Sequence, residues 1–357
     1  MDNLLTRKTS PYRHDQSKEL EYLCVDAFME DIVGARALAT AFQLGLIDYL
    51  KKSQPITLDD LKKGYQSDGR GLQLLLNLLM ANRVIERCNE EIKLSQQFMK
   101  ALRYRDLLEA KLEFANFVVP DFIDLFTTLI NSPGRFGRNA RIFELFCYSK
   151  CFDYSPENYK LTKRWMRITT SLTKYEAQVC MKYHDFGRYQ RILDIGGNSG
   201  EFVLQICKKY PKICATVFDL PLVCDIGQEH VISEPEADRI TFIKGNALKD
   251  VLPKGFDLIT FKSMLHDWPE REAKQFIVRA SQSLQPGGAL LIFERGPIEV
   301  NETTLPYSMI PFLLFFGSYR LPAIYEETLE DLGFRDITDK RIELEMPFFL
   351  VTARKMI

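Results

Sequence analysis

The chain has 357 residues, 46% of them hydrophobic, with 47 Lys and Arg against 48 Asp and Glu for a formal net charge of −1. That is material for one large or two ordinary domains, each with its own core. With no excess of positive charge and no long basic run, the composition speaks against nucleic acid and anionic lipid as partners.

No apolar stretch approaches the roughly 20 residues that cross a bilayer. The start, MDNLLTRKTSPYRHDQSKE, lacks the apolar core of a secretory signal, so the expected location is the cytoplasm. The first hundred or so residues read as helices: DAFMEDIVGARALATAFQLGLIDYL and DGRGLQLLLNLLMANRVI both space apolar residues by three and four. Between them TLDDLKK offers Thr57 as a helix cap with acids in the first turn. VIERCNEEIKLS alternates about Asn89 as a short β-hairpin. Three helices and a hairpin make a winged-helix pattern over 1–105, and its matched charges and broad apolar faces favour contact with a partner chain over DNA.

From about 106 to 184 the chain stays helical and rich in aromatics, including Phe114, Phe143, Phe146 and Phe152, interrupted by the Pro133-Gly134 turn. Core is one reading of these rings; walls of an apolar pocket for a flat ligand is the other. The eight cysteines form no CxxC pair, sit mostly inside apolar segments and read as reduced core thiols. Cys147 and Cys151 are four apart but have no His or second pair nearby to complete a zinc set, so no metal is expected.

From about 185 to 357 short aliphatic runs alternate with amphipathic helices, as in RYQRILDIGG, EFVLQICKKY and ATVFDL, which predicts a parallel Rossmann-like α/β sheet. Ligands of such sheets lie beyond the carboxyl ends of the strands. The first strand ends in LDIGGNSG, where Gly196, Gly197 and Gly200 let a ligand approach the backbone. Asn198 breaks the dinucleotide fingerprint, though Asn tolerates the left-handed conformation. Asp194 is ill placed for a pyrophosphate and well placed for a cationic amino group, while Asp219 ends the second strand where an acid accepts ribose hydroxyls. Together they describe S-adenosylmethionine (SAM) better than NAD. FDLITFKSMLHDW is a buried strand ending in Lys262, His266 and Asp267, and an imidazole with an ordinary pKa near 6.5 suits a general base.

Residues from about 20 to 355 resemble the plant and bacterial small-molecule O-methyltransferases, which include the acetylserotonin and caffeate O-methyltransferases. The motifs that carry the resemblance are LDIGGNSG, VFDLP, SMLHDWPE and PGGALLIFE, in this order. It implies a homodimer formed by the winged-helix segment and a SAM-binding C-terminal sheet, with the helices between them shaping the acceptor pocket. It implies His266 as the base that deprotonates an acceptor hydroxyl, with Glu294 orienting it. It places the co-substrate against Asp194, Gly196, Gly197, Gly200, Asp219, Leu220, Gly245, Asn246, Ala247, Lys262, Asp267 and Trp268. Three positions depart from the family pattern. Asn246 stands where many relatives carry Asp for the adenine amino group, Asn198 where glycine is usual, and Tyr319 where plant members carry a second acid for the histidine.

LPYSMIPFLLFFGSYRLP brings Met309, Phe312, Phe315 and Phe316 together, as a packed helix or as the cap of a greasy pocket. The last two strands, RDITDKRIEL and PFFLVTARK, complete the sheet, the final one antiparallel. The expected acceptor is a small, apolar, hydroxylated aromatic metabolite. The alternatives are methylation at carbon or nitrogen, and a SAM-binding relative with non-methylating chemistry, which Tyr319 keeps open. A winged-helix regulator with a ligand-sensing domain is opposed by the charge balance.

Overall fold

The computed structural model describes residues 18–65, 69–300 and 305–356. Residues 1–17, most of the opening segment that lacks a secretory apolar core, lie outside them. Among the described residues no helix is long and apolar enough to cross a membrane, and no group of three or more His, Cys, Asp or Glu side chains is placed to hold a metal.

The chain divides into two compact units, one of Met1–Arg105 with Val300–Tyr307, the other of Asp106–Glu299 with Ser308–Ile357. In the first, helix starts follow from side-chain caps on otherwise orphaned amides. Asp31 accepts the Gly34 N–H ahead of helix Ile32–Gln43, and Thr57 accepts that of Asp60 ahead of helix Leu58–Gly64. Strands β1 (Ile56–Thr57), β2 (Ile85–Cys88) and β3 (Glu91–Leu94) form a small antiparallel sheet in the order β1-β3-β2. Asn89 turns the β2–β3 hairpin at φ 56°. The winged-helix pattern is thus present. A shallow apolar groove lies between helices Ile32–Gln43 and Gly69–Ala81, where Ile32, Val33 and Leu74 are exposed.

The second unit opens with the long helices Arg105–Asn131 and Pro156–Tyr183, the latter capped by Ser155 with Pro156 in its first turn. Its sheet contains β4 (Arg191–Ile195), β5 (Cys214–Asp219), β6 (Ile240–Lys244), β7 (Phe256–Lys262), β8 (Leu284–Arg295), β9 (Arg335–Glu343) and β10 (Pro347–Arg354). The order is β6-β5-β4-β7-β8-β10-β9, parallel through β8, with β10 antiparallel to both β8 and β9.

Central strand β7 is apolar on both faces because both are covered. Leu258, Ile259 and Phe261 are fully buried, the last two in a cluster with Phe276, Ile277, Leu290 and Tyr325 among others. Each such side chain contributes roughly 1.5–3 kcal/mol of burial. The chain runs outward from β4 to β6 and returns to β7, so the order reverses between β4 and β7, and a ligand site is expected beyond their carboxyl ends.

The cysteines are all free, but only Cys151, Cys180, Cys207 and Cys224 are buried; Cys88 and Cys214 are exposed on strands, so the reading of core thiols holds for half of them. Cys147 and Cys151 do not form a pair: Cys147 meets the Ser149 hydroxyl and Cys151 that of Thr162.

Candidate active site

Four strands deliver the acids and bases expected from the sequence: Asp219 ends β5 and Lys262 ends β7, while Asp194 and Glu294 are the penultimate residues of β4 and β8. Beyond them lies one cavity within the second unit. His266, Asp267, Trp268, Lys262, Gly196, Asp219, Leu220, Gly245, Asn246 and Ala247 all line it. Asp194, Gly197, Gly200 and Glu294 do not; Glu294 stands behind the wall and holds Met264 and His266, which do.

The turn after β4 is built on left-handed backbone, with Gly196 at φ 69°, Asn198 at 56° and Gly200 at 75°. Asn198 therefore adopts the conformation that glycine would have supplied. Its N–H donates to Asp219 Oδ2 at 2.8 Å and its side-chain oxygen accepts the Ser199 N–H at 2.7 Å. A Cβ on Gly197 would stand 2.6 Å from Asp194 Oδ2 and one on Gly196 only 2.4 Å from Met264, so this turn has no room for side chains.

Asp194 Oδ1 accepts the Thr260 hydroxyl at 2.6 Å, while its buried Oδ2 has no partner. Burial, with Asp219 nearby, raises its pKa to about 7. Burial also raises Asp219, to about 6, against the stabilising amides of Leu220 and Asn198. Asp219 lines the cavity and Asp194 stands behind it, so a cation at that end would stabilise both as carboxylates. At the next strand end Asn246 spends its Oδ1 on the Leu248 N–H at 2.9 Å.

At the other end His266 Nδ1 is 2.6 Å from Glu294 Oε2. Glu294 Oε1 accepts the backbone N–H of Met264 at 2.7 Å and of Leu265 at 2.6 Å, so one buried carboxylate fixes both the imidazole and the turn that carries it. Burial disfavours the imidazolium, but Glu294 and Asp267 outweigh it and hold His266 above its ordinary pKa. Asp267 Oδ1 lies 3.4 Å from Nε2. Its Oδ2 accepts the Tyr148 hydroxyl at 2.7 Å, and the Tyr148 ring stacks on Trp268 at 6.3 Å. Arg320 donates to the carbonyls of Leu265, at 3.0 Å, and Trp268, bracketing His266. Tyr319 puts its buried ring 5.4 Å from the imidazole in place of a second acid.

Sequence reasoning placed Lys262 in the site without its partners: it donates to Thr173 at 2.8 Å and pairs with buried Glu176, which also pairs with Arg295. Glu176 and Arg295 were both missed. The signal for Glu176 is an acid set at four-residue spacing between the buried Leu172 and Cys180 on one helix face. That for Arg295 is a cation directly after Glu294 at the end of an apolar strand.

Around the base the cavity is aromatic, with Phe114, Phe146, Trp165, Phe312 and Phe315. Phe146 meets Trp165 at 5.9 Å and Phe315 at 6.0 Å. Of the four residues grouped near 309–316, Phe312 and Phe315 line the cavity, Met309 is buried and Phe316 is partly exposed.

An O-methyltransferase domain model matches residues 128–335 of this chain. The chain belongs to the O-methyltransferase domain family. Residues 28–104 match the O-methyltransferase dimerisation domain. The methyltransferase is 32% identical to acetylserotonin O-methyltransferase of Bos taurus over 195 residues, 53% of this chain and 54% of that protein. With the enzyme of the same name from Gallus gallus it shares 23% identity over 351 residues, 92% of this chain and 96% of that one. Its fold is shared with human N-acetylserotonin methyltransferase, crystallised with SAM, at a TM-score of 0.71 and 21% identity, covering 98% of this methyltransferase and all of that chain.

Proposed function

We propose that this methyltransferase moves a methyl group from SAM to a hydroxyl of a small, apolar, aromatic acceptor, with His266 as general base. The observation that carries this reading is the His266–Glu294 pair, standing between an acidic end of the cavity and an aromatic one.

The acidic end suits SAM. Asp194 has an unpartnered buried oxygen, Asp219 reaches the cavity, and the Gly196-Gly197 turn and Gly245 leave no side chains in the way of a nucleoside. From behind the wall Asp194 would act on the cationic amino-acid part through its charge, Asp219 with Leu220 would hold the ribose, and Asn246 with Ala247 and Trp268 the base. When bound, SAM supplies an electrophilic methyl on a sulfonium that is already a good leaving group.

What remains for the protein is alignment, dryness and a proton acceptor. Glu294 accepts the Nδ1 proton and thereby leaves the Nε2 lone pair of the neutral imidazole for the acceptor hydroxyl. Proton transfer to Nε2 makes an imidazolium that Glu294 and Asp267 stabilise, and an alkoxide or phenolate held among aromatic walls that exclude water. The dimerisation domain supports a homodimer, with the groove of Ile32, Val33 and Leu74 as its apolar seam.

The test is transfer of isotopically labelled methyl from SAM into a panel of hydroxylated aromatics, wild type beside His266→Ala. Labelled ether formed by wild type alone supports the reading. Label on carbon or nitrogen would move it to those chemistries, and no label despite SAM binding would move it to a non-methylating relative.

A further inference from the structure

One polar group that opens onto the cavity beside the base has no part in the mechanism above. The chain leaves Phe312 and Phe315 through a turn in which the Ser318 N–H donates to the Phe315 carbonyl at 2.8 Å, and this turn brings Tyr319 to His266. Arg320, the next residue, donates to the carbonyls of Leu265, at 3.0 Å, and Trp268, so the phenol is held against the turn that carries the base. Tyr319 is 7% exposed and lines the cavity, its ring centroid 5.4 Å from that of the imidazole. Its hydroxyl hydrogen-bonds to none of the described residues, and it is not sealed inside the protein as the hydroxyl of Tyr325 is. What surface it keeps faces the cavity.

The surroundings of that hydroxyl decide which way it bonds. Burial opposes its ionisation most, Arg295 favours it, and Asp267, Glu345 and Glu294 oppose it again, so the phenol stays above its ordinary pKa and keeps its proton. A neutral phenol without a protein partner offers a donor to whatever fills the cavity, whereas a carboxylate at this position could only accept. Methyl transfer creates the matching acceptor. When His266 Nε2 takes the proton of the acceptor hydroxyl, that oxygen becomes an oxyanion, and a fixed donor in a dry site stabilises it.

Resting on the methyl-transfer reading, we propose that Tyr319 donates a hydrogen bond to the oxygen that His266 deprotonates, favouring the phenolate over the phenol. The acceptor's proton passes to His266 Nε2, while the proton of Tyr319 stays on Tyr319. The new O–C bond forms as the S–C bond of SAM breaks, and the imidazolium returns its proton to solvent. The position where plant members carry a second acid has thus become a donor.

Full-length protein saturated with S-adenosylhomocysteine is mixed with para-nitrophenol and with nitronaphthols, and the visible band of the bound phenolate is followed against pH. Tyr319→Phe should raise the pKa of the bound probe by about one unit relative to wild type. The same rise should appear in the His266→Ala background, because the donor is not the base. With the best-methylated phenol of the panel, Tyr319→Phe should lower kcat at least about tenfold and leave KM within about threefold. A ring that only walls the cavity would move neither quantity. The inference is overturned if the bound probe titrates alike in wild type and Tyr319→Phe, whatever turnover does, or if wild type binds none of the probes. A shifted titration in a protein that methylates no phenol would leave the donor standing and bring down the methyl-transfer reading instead.

Discussion

A single carboxylate, that of Glu294, reaches His266 Nδ1 at 2.6 Å with one oxygen and the amides of Met264 and Leu265 with the other. The base and its turn therefore share one anchor. His266→Ala should lower turnover by about 10²–10⁴ while leaving SAM affinity within about twofold. Glu294→Gln keeps the shape but not the charge, and should lower kcat by at least about tenfold. Single-turnover kinetics beside calorimetry of SAM binding separates the two effects, and unchanged turnover in His266→Ala sinks the assignment.

The pH dependence follows from the same pair. His266 acts as a base only when neutral, and its neighbours hold its pKa above the ordinary value despite burial. The kcat/KM of wild type should therefore rise with pH along a limb lying above pH 6.5. Removing the Glu294 charge lowers the histidine pKa, so the limb of Glu294→Gln should move to lower pH even as its plateau falls. A limb that does not move would show that another group titrates.

Asp194 gives an independent test. Its pKa in the ligand-free protein is about 7, far above that of an unfolded Asp. The stability tied to its neutral form is complete below the unfolded pKa, near 3.9, and is lost as pH rises through about 7. Asp194→Asn should thus raise the Tm of the ligand-free protein at pH 8. Wild-type SAM affinity should decline as pH falls below about 7, and Asp194→Asn should remove that decline. Thermal melts with and without SAM at pH 6 and 8 check both halves.

The groove of the helical unit exposes Val33 by 53% and Leu74 by 61%. If a second copy covers it, Val33→Asp with Leu74→Asp should convert a dimer into a monomer by light scattering at micromolar concentration. A wild-type monomer would remove the dimer proposal.

The carboxyl-end residues of the sheet were legible in the sequence because parallel topology sends every strand end to one edge. A glycine turn and an acid at the ends of β4 and β5 need no long-range knowledge to be placed. Tyr148, Glu176 and Arg295 were not legible. Tyr148 meets Asp267 across 119 residues, and Glu176 meets Arg295 across the same separation, so only the packing of helix Pro156–Tyr183 and its neighbours on the sheet reveals them. Cys88 and Cys214 were misjudged because β2 and β5 place them at exposed positions. Local apolar composition does not report which side of a strand faces out.

Arg320 ties the chain that follows Phe312, Phe315 and Tyr319 to the two carbonyls on either side of His266. The aromatic roof of the cavity and the turn that holds His266 are therefore one mechanical piece. Re-engineering acceptor choice by exchanging residues 309–320 will shift the base with the roof, and altered selectivity will come with altered chemical rate. Libraries confined to Phe114, Phe146 and Trp165, outside that segment, are the route to new acceptors at undiminished turnover.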